Sequence, residues 1–245
     1  MYRLTKEDRD MKSSVARIAL GILIVAAVSV TFAGRFSGSA LAASAAAVPA
    51  PAVDNALSAK PGEETAVFAG GCFWGIQAVF QHVKGVKSAV SGYAGGHVAS
   101  PSYEEVSSGA TGHAESVKIV FDPSKISYGQ LLHVFFAVAH DPTQLNRQGP
   151  DVGTQYRSEI FYTNDAQKRI ATAYIGQLSK AKTFSRPIVT RVSGLNAFNV
   201  AEEYHQNYAT LHPNDPYIRF NDAPKVAALK SEMSALYKPE LSSWK

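Results

Sequence analysis

At 245 residues, with 46% apolar and 18% charged residues, the chain has the length for one globular domain plus flanking segments, and enough apolar residues to bury a sizeable core. Its formal charge of +4 is concentrated at the start, where residues 1–42 hold six Lys or Arg against three acids and leave about one net positive charge for the rest. A basic excess placed there, with no basic stripe interleaved by aromatics, gives no case for nucleic-acid binding.

In chain order, the first segment is an uncharged, largely apolar run of 16 positions from Ile18 to Ala33, with basic residues before it and Ser39-Ala40-Leu41-Ala42-Ala43 after it. Basic start, apolar middle and small residues are the parts of a secretory signal over 1–42. A spanning helix needs about 20 apolar residues, with shorter ones known, so a retained anchor facing outside the cytoplasm is the alternative, and membrane contact is expected only in that case. The expected location is an exported space, the periplasm. Ala, Ser and Pro dominate residues 43–62, a composition that reads as a flexible linker. The folded domain is expected over 63–245.

That domain opens with Thr65–Ala69, an apolar run that reads as a strand stopped by Gly70-Gly71. From Cys72 on, Phe73, Ile76, Val79, Phe80 and Val83 recur at the three-four spacing of one helical face until Gly85. Strands are predicted at Val86–Val90, Ser116–Phe121, Ser158–Tyr162 and Ile188–Val192, and helices at Ile126–Ala139 and Asp165–Lys182. Strands interleaved with helices point to an α/β or α+β domain in two layers.

The chain has a single cysteine, so it can form no intrachain disulfide, and in an exported protein such a thiol is either buried and inert or reactive. Cys72 stands in Gly70-Gly71-Cys72-Phe73-Trp74-Gly75, between a strand and the first turn of a helix. Free N–H groups and the positive dipole end at such a turn favour the thiolate. Phe73 and Trp74 offer apolar faces beside the sulfur; a structural cysteine among core aromatics is the bland alternative. Glu115 precedes the Ser116–Phe121 strand after the glycine-rich stretches Gly92–His97 and Gly109–Ala114, and a desolvated acid at a strand mouth can donate a proton. Tyr156 follows Asp151 in the polar loop 140–158, where its O–H can reach a substrate oxygen. The seven histidines show no close-spaced ligand pattern for a metal. Two readings of this thiol stand on the residues alone: Cys-dependent acyl transfer with a His base, and a binding module that would survive thiol alkylation.

Gly71-Cys72-Phe73-Trp74-Gly75, Gly92–Gly96, Thr111–Glu115 and Gly153–Ser158, in this order, resemble the A-type peptide methionine sulfoxide reductases, and the similarity runs from about Thr65 to Lys238 with Phe198–Gln206 adding to it. The resemblance implies a two-layer sandwich with a mixed sheet around a ferredoxin-like core. It implies reduction of the S epimer of methionine sulfoxide, free or in oxidised proteins, without metal or organic cofactor. Cys72 would be the nucleophile and Glu115 the proton donor, Tyr103 and Tyr156 would bind the sulfoxide oxygen, Asp151 would support the polar side, and Phe73 and Trp74 would hold the methyl group. Many members carry further cysteines that resolve the sulfenic acid. This chain has none, so an external thiol, a thioredoxin-like protein or a small molecule, is the expected reductant.

Overall fold

The structure is a computed structural model that describes residues 48–245; the expected signal segment and the start of the expected linker lie outside the described residues. A six-stranded mixed sheet has the order β7-β6-β1-β3-β2-β8, built from β1 (Glu64–Gly70), β2 (Val86–Ala94), β3 (Ala114–Phe121), β6 (Ser158–Tyr162), β7 (Arg191–Gly194) and β8 (Phe198–Val200). All neighbours are antiparallel except β6 and β7. The central order β6-β1-β3-β2 is compatible with the ferredoxin-like core. Between β1 and β2 runs α1 (Phe73–Gln81), and α3 (Tyr128–Val134) and α4 (Asp165–Lys180) flank β6 in sequence.

Strand alternation explains how one sheet serves two faces. Ala66 and Phe68 of β1, with Val117, Ile119 and Phe121 of β3, join the main core beneath α1, α3 and α4, while Val67 and Ala69 turn to a small second cluster with Phe161. The α1 periodicity holds: Phe73, Ile76, Val79 and Phe80 are buried. The predicted helix at Ile126–Ala139 begins instead at Tyr128, capped by Ser127, and ends as a π-helical turn at Phe135–Ala139. The predicted strand at Ile188–Val192 pairs only from Arg191 on, because the backbone before it turns aside, Val189 N–H donating to Pro142 O.

Residues 48–62 do not behave as the flexible linker their composition suggests. Val48 is buried and its carbonyl meets His133 Nε2 at 2.8 Å, the Tyr174 hydroxyl donates to Pro49 O, and Gln177 pins Ala50 and Ala52. Asp54 accepts from Gly129 N–H at 2.9 Å and from the Ser127 hydroxyl at the start of α3. Composition misses this because the strap is held by hydrogen bonds to partners far along the chain rather than by apolar residues of its own.

Short elements complete the chain. A short helix α2 (Tyr103–Ser107) and a hairpin of β4 (Arg147–Gln148) and β5 (Asp151–Val152) border the site. After β8 come α5 (Tyr208–Leu211), a π-helical turn at Ile218–Asp222 and α6 (Ala223–Glu232).

Candidate active site

The strand β1 ends at Gly70, and Gly71 turns the chain with φ +99°, its α-carbon so close to Gln148 that a Cβ would come within 2.5 Å of it. Only glycine fits there. Cys72 follows as the N-cap of α1, a free thiol only 7% exposed. Beside it, Glu115, the second residue of β3, is paired to Tyr93 of β2. The buried Glu115 carboxyl accepts the Phe73 N–H at 3.0 Å, meeting one of the donors that the helix start leaves free.

Burial lifts the Glu115 pKa to about 8, nearby Asp151 and Asp222 adding to the rise and the Phe73 N–H opposing it. At neutral pH the acid therefore holds its proton. The thiol behaves differently from the reading of the helix start. Burial first, then the charges of Glu115 and Asp222, push the Cys72 pKa well above its ordinary value, against the pull of the Trp74 N–H and Lys225. The helix end does attract the thiolate through that N–H, but desolvation outweighs it. In the substrate-free state both groups keep their protons.

Around the sulfur stands an aromatic wall. The Phe73 ring lies 5.0 Å from His205 and 5.8 Å from Tyr93. Trp74 stacks on Tyr208 at 3.8 Å, meets Tyr217 edge-on at 5.9 Å and donates its indole N–H to His205 Nδ1 at 3.3 Å. Tyr103 sits 4.5 Å from the same histidine, its backbone N–H held by Glu202.

The polar side comes from the hairpin and the turn after it. Asp151 accepts the Tyr217 hydroxyl at 2.5 Å. The 3-10 turn Thr154–Tyr156 carries Tyr156 and is fixed by buried Arg157, which bonds Thr154 O and pairs with Glu159. Burial raises the Tyr103 and Tyr156 hydroxyls, and both feel the charges of Glu115, Cys72 and Asp151. Cys72, Phe73, Trp74, Tyr103, Glu115, Asp151 and Tyr156 thus converge on one spot. Tyr217, His205 and Glu202 also stand there with no role assigned to them from the sequence; Glu202 and His205 lie in the Phe198–Gln206 stretch that adds to the family likeness, whereas Tyr217 lies beyond it. Among the described residues no histidine is hydrogen-bonded to Cys72: His140 is tied to Phe135 O and Ser158 Oγ, with burial lowering its pKa to about 4. A thiol beside a protonated acid, rather than beside a basic imidazole, disfavours acyl transfer.

The model of one protein family, Peptide methionine sulfoxide reductase, matches residues 64–236. The chain belongs to the peptide methionine sulfoxide reductase family. Among curated relatives of this reductase, "Peptide methionine sulfoxide reductase MsrA 2" of Mesorhizobium japonicum is 63% identical over 179 residues, 73% of this chain and 92% of the relative. The protein of the same name from a Synechocystis strain is 50% identical over 189 residues, covering 76% and 88%. In structure, methionine sulfoxide reductase A of Corynebacterium diphtheriae superposes with a TM-score of 0.54 at 36% identity, over 63% of this chain and 77% of that one. The reductase is accordingly an oxidoreductase with an α/β fold around a mixed sheet.

Proposed function

We propose that the chain reduces the S epimer of methionine sulfoxide, free or in oxidised proteins, through Cys72. The observation that carries this reading is the buried Glu115, which holds its proton at neutral pH while bonded to the N–H of the residue next to the thiol. A sulfoxide oxygen leaves sulfur only once protonated, so attack by a sulfur nucleophile needs an acid at that place. The Phe73 and Trp74 faces receive the methyl group. Tyr103 and Tyr156 donate to the oxygen, and Asp151, held by Tyr217, anchors the polar side. Sulfoxide and thiol become methionine and a Cys72 sulfenic acid.

With no second cysteine in the chain, an external thiol attacks that sulfenic acid, releasing water and leaving a mixed disulfide, and a second thiol frees Cys72 by exchange. A thioredoxin-like protein or a small thiol fits this role. The basic, apolar and small-residue order of residues 1–43 supports export to the periplasm; N-terminal sequencing of the mature protein tests it, with a start near Ala43 expected and an intact Met1 in the membrane fraction favouring a retained anchor. The activity itself is tested on a defined S-sulfoxide with dithiothreitol. Wild type should turn over and Cys72→Ser should not; equal rates would overturn the assignment.

A further inference from the structure

Gly75, which closes the Gly71–Gly75 motif, stands in the first turn of α1 against a charge pair supplied from far along the chain. The Asp222 side chain is fully buried and the Lys225 side chain 17% exposed, with Nζ 3.0 Å from Asp222 Oδ1. A Cβ on Gly75 would lie 2.1 Å from Asp222 Oδ1 and 2.8 Å from Lys225 Nζ, so glycine is what lets the pair press on the turn. The π-helical turn Ile218–Asp222 and the start of α6 bring both residues inward, just after Tyr217 enters the site. The second carboxylate oxygen, Asp222 Oδ2, is buried with no hydrogen-bond partner. A buried ion pair so incompletely satisfied is weak as a stabilising device, and its place against Gly75, three residues after the nucleophile, calls for another role.

We propose that the Asp222–Lys225 pair is a positioning pair for the reaction of Cys72, setting the charge behind the first turn of its helix and thereby the reactivity of its sulfur. The proposal deepens the reductase reading and rests on it. The groups facing this place are Glu115 from β3, Asp151 from β5, Tyr103 from α2, Tyr156 from the 3-10 turn, Tyr208 from α5, Tyr217 and His140, with Asp222 and Lys225 themselves. Lys225 is the cation among those acting on Cys72, where it opposes Glu115 and Asp222. Asp222 also adds to the rise that keeps Glu115 protonated. Acid and base at this spot are thus held in step: the carboxylate restrains the thiol and supports the proton donor, and the ammonium limits the restraint.

The test uses the pH dependence of iodoacetamide alkylation of the sole cysteine in the full chain, which requires no reductase turnover and so fails or succeeds independently of the assigned substrate. Lys225→Met keeps the aliphatic stem and removes the charge. The ammonium is what opposes Glu115 and Asp222 at Cys72, so without it the midpoint should rise and alkylation at fixed pH should slow by about tenfold, the loss of thiolate for a one-unit rise. Lys225→Arg should restore it. Asp222→Asn should move the midpoint the other way and speed alkylation. A purely structural role predicts something else: loosening would expose the thiol, relieve its desolvation and speed alkylation in both Lys225→Met and Asp222→Asn. Shifts of the same sign in those two variants, or no shift in Lys225→Met, overturn the proposal; opposite shifts with recovery in Lys225→Arg support it. Single-turnover formation of the sulfenic acid, measured on the same variants, should differ from wild type wherever alkylation does.

Discussion

Replacing Glu115 by Gln should make the protein more stable and the enzyme far slower. The carboxyl titrates at 4.5 when unperturbed and near 8 when folded, so between those values the folded chain binds a proton the unfolded chain has lost, and stability falls as pH rises across that window. Each pH unit in it withdraws about 1.4 kcal/mol, which amounts to on the order of 3 kcal/mol at pH 7. Gln has no such proton to retain, and its amide oxygen can still accept the Phe73 N–H that Glu115 holds at 3.0 Å. Its gain should be absent at pH 4, grow through neutrality and level off above about pH 8. Thermal melting should show it as a rise of about 6 to 12 °C at pH 7 for a domain of this size. Above about pH 8, where Glu115 is ionised, the same substitution removes one of the charges that hold the Cys72 thiol up, so alkylation there should become faster, while sulfoxide reduction at neutral pH falls by about 10² or more. A melting difference that ignores pH, or a variant that reduces sulfoxide normally, would refute the reasoning.

Cys72→Ser should retain less than about a tenth of wild-type reduction with its fold intact, since an alcohol cannot replace the thiolate at neutral pH; the S-sulfoxide assay with dithiothreitol and circular dichroism check both halves. Tyr217→Phe keeps the ring against Trp74 but takes the hydroxyl from Asp151, and kcat/KM should fall by about tenfold, the scale of one hydrogen bond to a charged group. Asp54→Ala removes the acceptor for Gly129 N–H at the start of α3 and should cost about 1 kcal/mol in denaturant melts, as helix caps do, with no change in the rate of the first chemical step.

The parts of this protein legible in its sequence are those whose physics is local. Strand alternation in Val117, Ile119 and Phe121, the three-four spacing of Phe73, Ile76 and Phe80, and the glycines around Cys72 all state their structure within a few residues. Glu115 and Tyr156 were legible through the stretches that surround them. The charge state of the thiol was not, because the helix start is visible in the sequence whereas the burial of Cys72 and the approach of Asp222 are produced by packing. Tyr217, Asp222 and Lys225 come from a segment whose own pattern is interrupted by a π-helical turn, and their contacts with Trp74, Gly75 and Asp151 join positions that no local pattern relates. The strap over 48–62 is the converse case, where a composition suited to disorder is ordered by Tyr174, Gln177 and Ser127.

The central claim, that Cys72 takes the oxygen from methionine sulfoxide and cannot resolve the product within the chain, is tested most directly by mass spectrometry of the enzyme given a defined S-sulfoxide without any thiol. The account predicts a single-oxygen adduct on Cys72, trapped by a sulfenic-acid reagent, together with about one equivalent of methionine and then no further turnover, because the sulfenic acid awaits an external thiol. Continued methionine production without added reductant, or an oxygen adduct on any residue other than Cys72, would contradict it.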